Sequence, residues 1–176
     1  MLEIETTEPP LIGEPEHAHT VSAAMAAGAR AYASTQDVGI VAAVHLLSEY
    51  DDGRLLLEAS VARHLHWVPG KKEILVDWVS LFDAQSLRSP KHNQTEQTWA
   101  VLLIACSLAI GRALHRFGTL LSYLDHRAAS QVIRAIYIAT HDGAQPAPGW
   151  PDTEPVMLGI LAEVEAAFVK ARDPQD

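Results

Sequence analysis

The chain has 176 residues, of which 48% are hydrophobic, and its 22 acidic and 13 basic residues give a net charge of −9 at pH 7. This length fits one domain that buries most of its apolar surface, and a single cysteine excludes an internal disulfide framework. The acidic balance by itself would argue against nucleic acid and other anionic partners.

The negative charge is concentrated at the two ends of the chain. Residues 1–16 contain five Glu and neither Lys nor Arg, and residues 142–176 contain seven acidic residues against Lys170 and Arg172. Between these ends, residues 17–141 contain ten acidic and eleven basic residues. The body of the protein is therefore mildly basic, and its charge is compatible with an anionic partner.

Composition divides the chain into four segments. Residues 1–16 form an acidic arm with three prolines, which is predicted to be flexible because it has little apolar surface to bury. Residues 17–143 form a helical body. Residues 144–153 form a Pro-rich linker with polyproline II character. Residues 154–176 contain a C-terminal helix that is predicted to pack on the body or on a partner subunit.

Two helices are predicted at the start of the body. The first begins at an N-cap on Thr20 and carries Val21 on its apolar side. The second restarts at Ser34, which has the spacing of a capping box to Asp37, and ends at the turn of residues 51–53.

A small hairpin is predicted near residues 63–77. Polar and apolar side chains alternate along residues 63–67, a Pro-Gly turn follows, and residues 73–76 form a β-prone run. The alternation places Leu65 and Trp67 towards the core. Asp77 is predicted to cap the helix that follows the hairpin.

Two histidines of this hairpin are candidate metal ligands. His64 and His66 are two residues apart, so on a strand their side chains share a face, and a two-residue turn would place Asp77 opposite His64. Two neutral imidazoles and a carboxylate suit a Zn or Fe ion, which would make the protein a His/Asp metal-dependent enzyme. The alternative is that both histidines form the solvated face of a half-buried strand.

Two strong helical patterns follow the hairpin. Residues 99–110 are apolar on nearly all sides, which predicts a central helix that is covered by others and ends at Gly111. Asp125 is predicted to cap an amphipathic helix that ends near residue 141. The predicted fold class is therefore mainly α, a compact domain of six or seven helices with one small hairpin.

The second half of the body carries a candidate nucleic-acid-binding face. Positions 127, 131 and 134 share one stripe of the last helix of the body, and two further arginines precede that helix. A short helix, a turn and a polar-faced second helix are the outline of a helix-turn-helix motif. The alternative is a surface helix that keeps long polar side chains in water. The residues of this face are Arg112, Arg116, Arg127, Gln131 and Arg134.

The sequence predicts neither a membrane partner nor a leader. The first ten residues are acidic, without the basic and then apolar regions of a signal peptide. The longest apolar run, residues 99–110, is shorter than the roughly 20 residues that a membrane span needs. Cys106 lies in that run and is expected to be an inert buried thiol. These features favour a cytoplasmic location.

Three stretches of the body share a rhythm with one group of proteins. They are Val76-Asp77-Trp78, the run TWAVLLIACSLAIGR, and the run LLSYLDHRAASQVIRAIYIATHDG. An Asp-Trp helix start, an apolar helix closed by Gly and a final helix opened by Leu-Asp resemble small Ala-rich hypothetical proteins of actinobacteria. The resemblance covers about 70 residues and implies a helical fold and a bacterial source, without an activity.

The patterns leave three functions open. No nucleophile elbow, phosphate-binding loop or dinucleotide fingerprint occurs in the sequence, which favours a non-enzymatic interaction or assembly module that binds itself or another protein. A nucleic-acid-associated regulator using residues 112–134 is the first alternative. A metal enzyme built on His64, His66 and Asp77 is the second.

Overall fold

The computed structural model describes residues 15–68, 70–86, 95–114 and 117–146, with side chains described from residue 20 onwards. Most of these residues are helical, and one two-stranded antiparallel sheet completes them, as the sequence predicts. The elements are α1 (Pro15–Ala33), α2 (Val38–Glu49), a 3₁₀ segment (Tyr50–Leu57), α3 (Ala59–Ala62), β1 (Leu65–Val68), β2 (Glu73–Val76), α4 (Trp78–Ser86), α5 (Glu96–Ile110), α6 (Phe117–Leu121) and α7 (His126–Thr140).

Helix α1 begins at Pro15, so the predicted start at Thr20 is wrong by more than one turn. Proline suits the first position of a helix, because the N–H that it lacks would have no helical partner there. The buried side of α1 carries small residues, whereas Val21 is 43% exposed, contrary to its predicted place on the apolar side. These small residues are Ser22, Ala26, Ala29 and Ala33.

The predicted capping box between α1 and α2 does not form. Ser34 donates its hydroxyl to the carbonyl of Ala31, so it closes α1 instead of opening α2. Asp37 precedes α2 in an extended conformation and makes no side-chain capping hydrogen bond. Its backbone carbonyl accepts from Ile40 and Val41.

Helices α2 and α5 form the centre of the core. In α5, all residues from Ala100 to Cys106 are buried, which confirms the prediction of a covered central helix. Thr95 caps α5 by accepting from the Thr98 N–H, and Gly111 ends it in a left-handed conformation. At the crossing with α2, a Cβ on Gly39 would overlap the backbone carbonyl of Leu108. The close approach of the two helices therefore requires glycine at this position.

The hairpin has the predicted register. Leu65 pairs with Val76, so that the next outward pair is His64 with Asp77, and the Asp77 N–H donates to the His64 carbonyl at 2.8 Å. Trp67, however, is 60% exposed and does not reach the core. Helix α1 packs on β2, whereas Trp67 lies on the other strand, β1, where α1 does not cover it.

The C-terminal part of the body follows the predicted caps. Asp77 accepts from the Ser80 N–H at the start of α4, and Asp125 accepts from the Ala128 N–H at the start of α7. Helix α6 includes Gly118. In the described part of the chain, no helix is long and apolar enough to cross a membrane.

Several predicted features lie outside the described residues. They are the acidic arm up to residue 14, the linker from residue 147 onwards, the whole of the predicted helix 154–172, and Arg116.

Candidate functional site

The polar stripe of α7 lies against the C-terminal half of α2. Gln131 donates to the carbonyl of Glu49 at 2.7 Å, and one turn earlier in α7 Arg127 pairs with Asp52 at 3.4 Å. The later residue of α7 therefore meets the earlier residue of the other segment, so the two segments run antiparallel. The stripe that was predicted as an open face is therefore one wall of a groove.

The start of α7 is fixed by α5. Asp125 accepts from the Ala128 N–H at 2.8 Å with one oxygen and from the Gln97 amide at 3.2 Å with the other. Gln97 in turn accepts from the Asp125 N–H at 2.8 Å. Two of these hydrogen bonds satisfy backbone donors at the helix start, and the two that involve Gln97 tie that start to α5.

The opposite side of α7 holds the helix in place by burial. Val132, Ile133, Ala135 and Ile138 are almost completely buried, with Ala128 and Ala129 beneath the first turn. Burying such side chains contributes on the order of 1.5–3 kcal/mol for each of the larger ones. The polar stripe is consequently presented by a rigid element.

The groove between α2 and α7 widens into an open cleft of about 450 Å³. Helix α2 contributes His45 and Glu49, which are one turn apart and so lie on the same side of the helix. Helix α7 contributes the other walls, with both arginines of the stripe. The residues lining the cleft are His45, Glu49, His126, Arg127, Ser130, Gln131 and Arg134.

His45 is the most perturbed titratable group of this cleft. Burial lowers its pKa from the usual value of 6.5. The carboxylate of Glu49 opposes this shift, and the guanidinium groups of Arg30 and Arg134 reinforce it. The imidazole is therefore held neutral near pH 7, and a neutral ring offers one hydrogen-bond donor and one acceptor.

Glu49 is the one acid of the cleft, and it is already engaged. Arg30 of α1 pairs with its carboxylate at 3.9 Å, and both side chains are about half exposed. The remaining charge in the cleft comes from Arg127 and Arg134, so its balance is positive at neutral pH.

A second, smaller cleft of about 150 Å³ adjoins the first and shares Arg127 and Gln131 with it. One of its lining residues, Asp51, belongs to a left-handed turn, residues 51–53, in which Asp51, Asp52 and Gly53 all have positive φ. Left-handed conformation costs a non-glycine residue roughly 1–2 kcal/mol, and Asp tolerates it better than most residues. Three such residues in succession are held between α1, through a Ser22 hydroxyl that donates to the Asp52 carbonyl, and Arg127 of α7.

The structure divides the predicted nucleic-acid-binding face. Arg127, Gln131 and Arg134 line the cleft together. Arg112 instead pairs with Asp83 of α4 at 3.9 Å and lies 5.7 Å from the centre of the Phe82 ring. Arg116 lies outside the described residues. The structure therefore groups three of the five predicted residues and places one elsewhere.

Two of the three predicted metal ligands, His64 and Asp77, lie opposite each other at the open end of the hairpin. Hydrogen bonds from the Ser80 hydroxyl and then from the Ser80 N–H lower the pKa of the Asp77 carboxyl, with smaller effects from His64 and His66. Within the described ranges, no group of three or more His, Cys, Asp and Glu side chains is placed to hold a metal ion. The carboxylate has its role as a helix cap.

Sequence reasoning missed His45, Glu49, His126 and Ser130 as partners of the arginines. His45 and Glu49 have the spacing of helix neighbours, and Glu49 is the sole acid of α2. His126 and Ser130 share that spacing on α7. The spacing places each pair on one face of its own helix, but only the packing of α2 against α7 brings the two pairs together in one cleft.

Comparison with protein-family models, with curated proteins and with solved structures gives no match to this chain.

Proposed function

We propose that the protein binds a small anionic ligand in the cleft between α2 and α7. The observation that carries this proposal is the convergence of Arg127 and Arg134 with His45 and His126 on one concave site of about 450 Å³. Guanidinium groups bind carboxylate, sulfate and phosphate groups with two parallel hydrogen bonds. A volume of several hundred cubic ångströms is typical of small-molecule sites.

The remaining wall groups suit this function. Gln131 and Ser130 are polar without charge, and neutral His45 adds a donor without the cost of burying a further charge. Because Glu49 is paired with Arg30, its repulsion of an incoming anion is reduced. The Asp125 carboxylate accepts from the Ala128 N–H at the start of α7, so this backbone donor is already used.

The same geometry favours a small ligand over a DNA duplex. A recognition helix must enter the major groove with a free convex face, whereas Gln131 and Arg127 are bonded to the end of α2 and the turn that follows it. Arg112 lies beside α4 and does not extend this stripe.

Titration of the full chain with sulfate tests the proposal. Sulfate is a dianion across the working pH range, and NMR shifts of the arginine Nε–Hε signals report where it binds. Arg134→Gln is expected to lower sulfate affinity about tenfold, because hydrogen bonds to charged groups contribute on the order of 1.5 kcal/mol or more. Arg127→Gln, at a more exposed position, is a second variant in case the first is unstable.

Arg112→Gln is the matched control, since it makes the same charge change outside the cleft. It is expected to leave sulfate affinity unchanged. If sulfate shifts none of the cleft signals at millimolar concentration, the proposal is wrong. If duplex DNA binds with a steep salt dependence and the 112 and 134 variants weaken it equally, the basic face acts as a nucleic-acid surface instead.

A second function, association with a further copy or another protein, is favoured by the exposure of Trp67. A tryptophan that is 60% exposed on an outer strand is the type of residue that anchors interfaces. Sedimentation of the full chain and of Trp67→Ser tests this. A monomer in both cases would remove this candidate for self-association.

A further inference from the structure

Arg127, which lines the cleft, is paired with an acid of the same chain. Its Nη2 lies 3.4 Å from a carboxylate oxygen of Asp52, and both side chains are more than half exposed. Arg127 also lines both clefts, so its guanidinium stands at their common wall. An anion that binds Arg127 with two hydrogen bonds therefore has to share it with the Asp52 carboxylate or replace it.

We propose that Asp52 is an internal competitor of the ligand, a carboxylate that occupies Arg127 in the empty cleft and sets the affinity for external anions. This inference rests on the proposed anion-binding function. In the bound state Arg127 turns its guanidinium from Asp52 to the ligand, while Arg134 and His45 contact the ligand from the other end of the cleft. No covalent step is involved.

The backbone around Asp52 supports this role. Asp52 lies in the middle of the left-handed turn, with φ of 54°, and its carbonyl accepts from the Ser22 hydroxyl at 3.3 Å. Gly53 follows with φ of 76° in a buried position, where a Cβ would lie 3.4 Å from the Ser48 carbonyl oxygen. The turn therefore aims the Asp52 side chain at α7, and the turn stays anchored to α1 when the carboxylate is displaced.

Asp51 provides a control within the same turn. It is also acidic, exposed and left-handed, with φ of 46°, and it lines the smaller cleft. The ion pair to Arg127, however, is made by Asp52. A general effect of negative charge near the cleft would act through both residues, whereas competition for Arg127 acts through Asp52.

The test measures the affinity of the full chain for sulfate and for acetate at pH 8, where His45 is neutral. Asp52→Asn is compared with Asp51→Asn and with the unchanged chain. Asparagine has nearly the size of aspartate and is favoured in left-handed conformation, so both variants keep the turn. Asp52→Asn is expected to tighten binding of both anions about twofold to fivefold, which is the factor that an exposed ion pair contributes. Asp51→Asn is expected to change it less than Asp52→Asn.

Two direct signals accompany the affinities. In the unchanged chain, saturation with sulfate is expected to shift the carboxyl ¹³C signal of Asp52 together with the Nε–Hε signal of Arg127. Asp52→Asn is expected to move the Arg127 signal before any anion is added.

The outcomes separate this inference from the proposed function. Sulfate binding that Arg134→Gln weakens, with equal or weaker binding in Asp52→Asn, overturns the competitor and keeps the anion site. Equal tightening in the two aspartate variants also overturns it, because long-range charge is then sufficient. Absence of sulfate binding in every protein overturns the proposed function and, with it, the competitor.

Discussion

Gly39→Ala is expected to lower the free energy of unfolding by about 2 kcal/mol, because α2 crosses α5 at this residue. The added Cβ would overlap the carbonyl of Leu108, which is backbone of a helix and cannot rotate away as a side chain would. Overpacking of this kind costs typically 1–3 kcal/mol, and a rigid neighbour argues for the upper part of that range. The gain in helix propensity offsets up to about 1 kcal/mol.

Thermal unfolding followed by circular dichroism measures this effect. For a chain of this size, 1 kcal/mol corresponds to about 2–4 °C, so the expected fall in Tm is roughly 4–8 °C. Because α2 carries His45 and Glu49 into the cleft, sulfate affinity is expected to fall with it.

Gly28→Ala is the matched control, since it adds the same atom inside a helix. Its new Cβ would lie 3.0 Å from Cγ1 of Ile74, a side chain that can move. The propensity gain and the contact cost then nearly cancel, and the Tm is expected to stay within about 4 °C of the unchanged chain. A Tm for Gly39→Ala equal to or above that of the unchanged chain would refute the argument that backbone contact at this crossing limits the residue to glycine.

Three further measurements probe the cleft and the core. Burial depresses the pKa of His45 below its unfolded value of 6.5, so the unfolded chain binds this proton more readily; the contribution of His45 to stability is complete above pH 6.5 and is lost as pH falls below it. His45→Gln should make the free energy of unfolding by urea fall less steeply below pH 6.5, and an unchanged slope would contradict the assignment. Asp125→Ala removes the cap of α7 and should cost about 1 kcal/mol in the same assay, whereas an unchanged midpoint would show that Gln97 alone fixes the helix start. Burial raises the pKa of the Cys106 thiol well above its usual value, so a thiol reagent should label it only after denaturation, and rapid labelling of the folded chain would place this residue at the surface.

The local patterns of the sequence determined a large part of the fold. The Asp77 and Asp125 caps, the end of α5 at Gly111 and the register of the hairpin were all predicted correctly. In each case the information lies within a few residues, because a cap bonds to a backbone N–H three positions away and a two-residue turn fixes which residues pair. The unbroken apolar run of α5 likewise indicated a helix with neighbours on all sides.

Two local predictions were wrong because contacts with other parts of the chain determined the outcome. Ser34 had the spacing to cap α2 but bonds back to α1, because its hydroxyl reaches a carbonyl of either helix. Trp67 shares a strand face with Leu65, which packs against the core, yet Trp67 is 60% exposed, since α1 packs on the other strand, β2. Alternation specifies which side chains share a face, and only the packed neighbours specify how much of that face is buried.

The candidate site belongs to the tertiary structure. The sequence placed Arg127, Gln131 and Arg134 on one stripe of a helix, which α7 confirms, but it offered no reason to join them with His45 and Glu49 from a helix far earlier in the chain. Helical periodicity acts over a few residues, whereas the cleft arises where two amphipathic helices pack and their polar edges meet. The stripe was determined by local spacing, and its conversion into a concave cationic cleft was determined by the burial of the opposite side of α7 against the core.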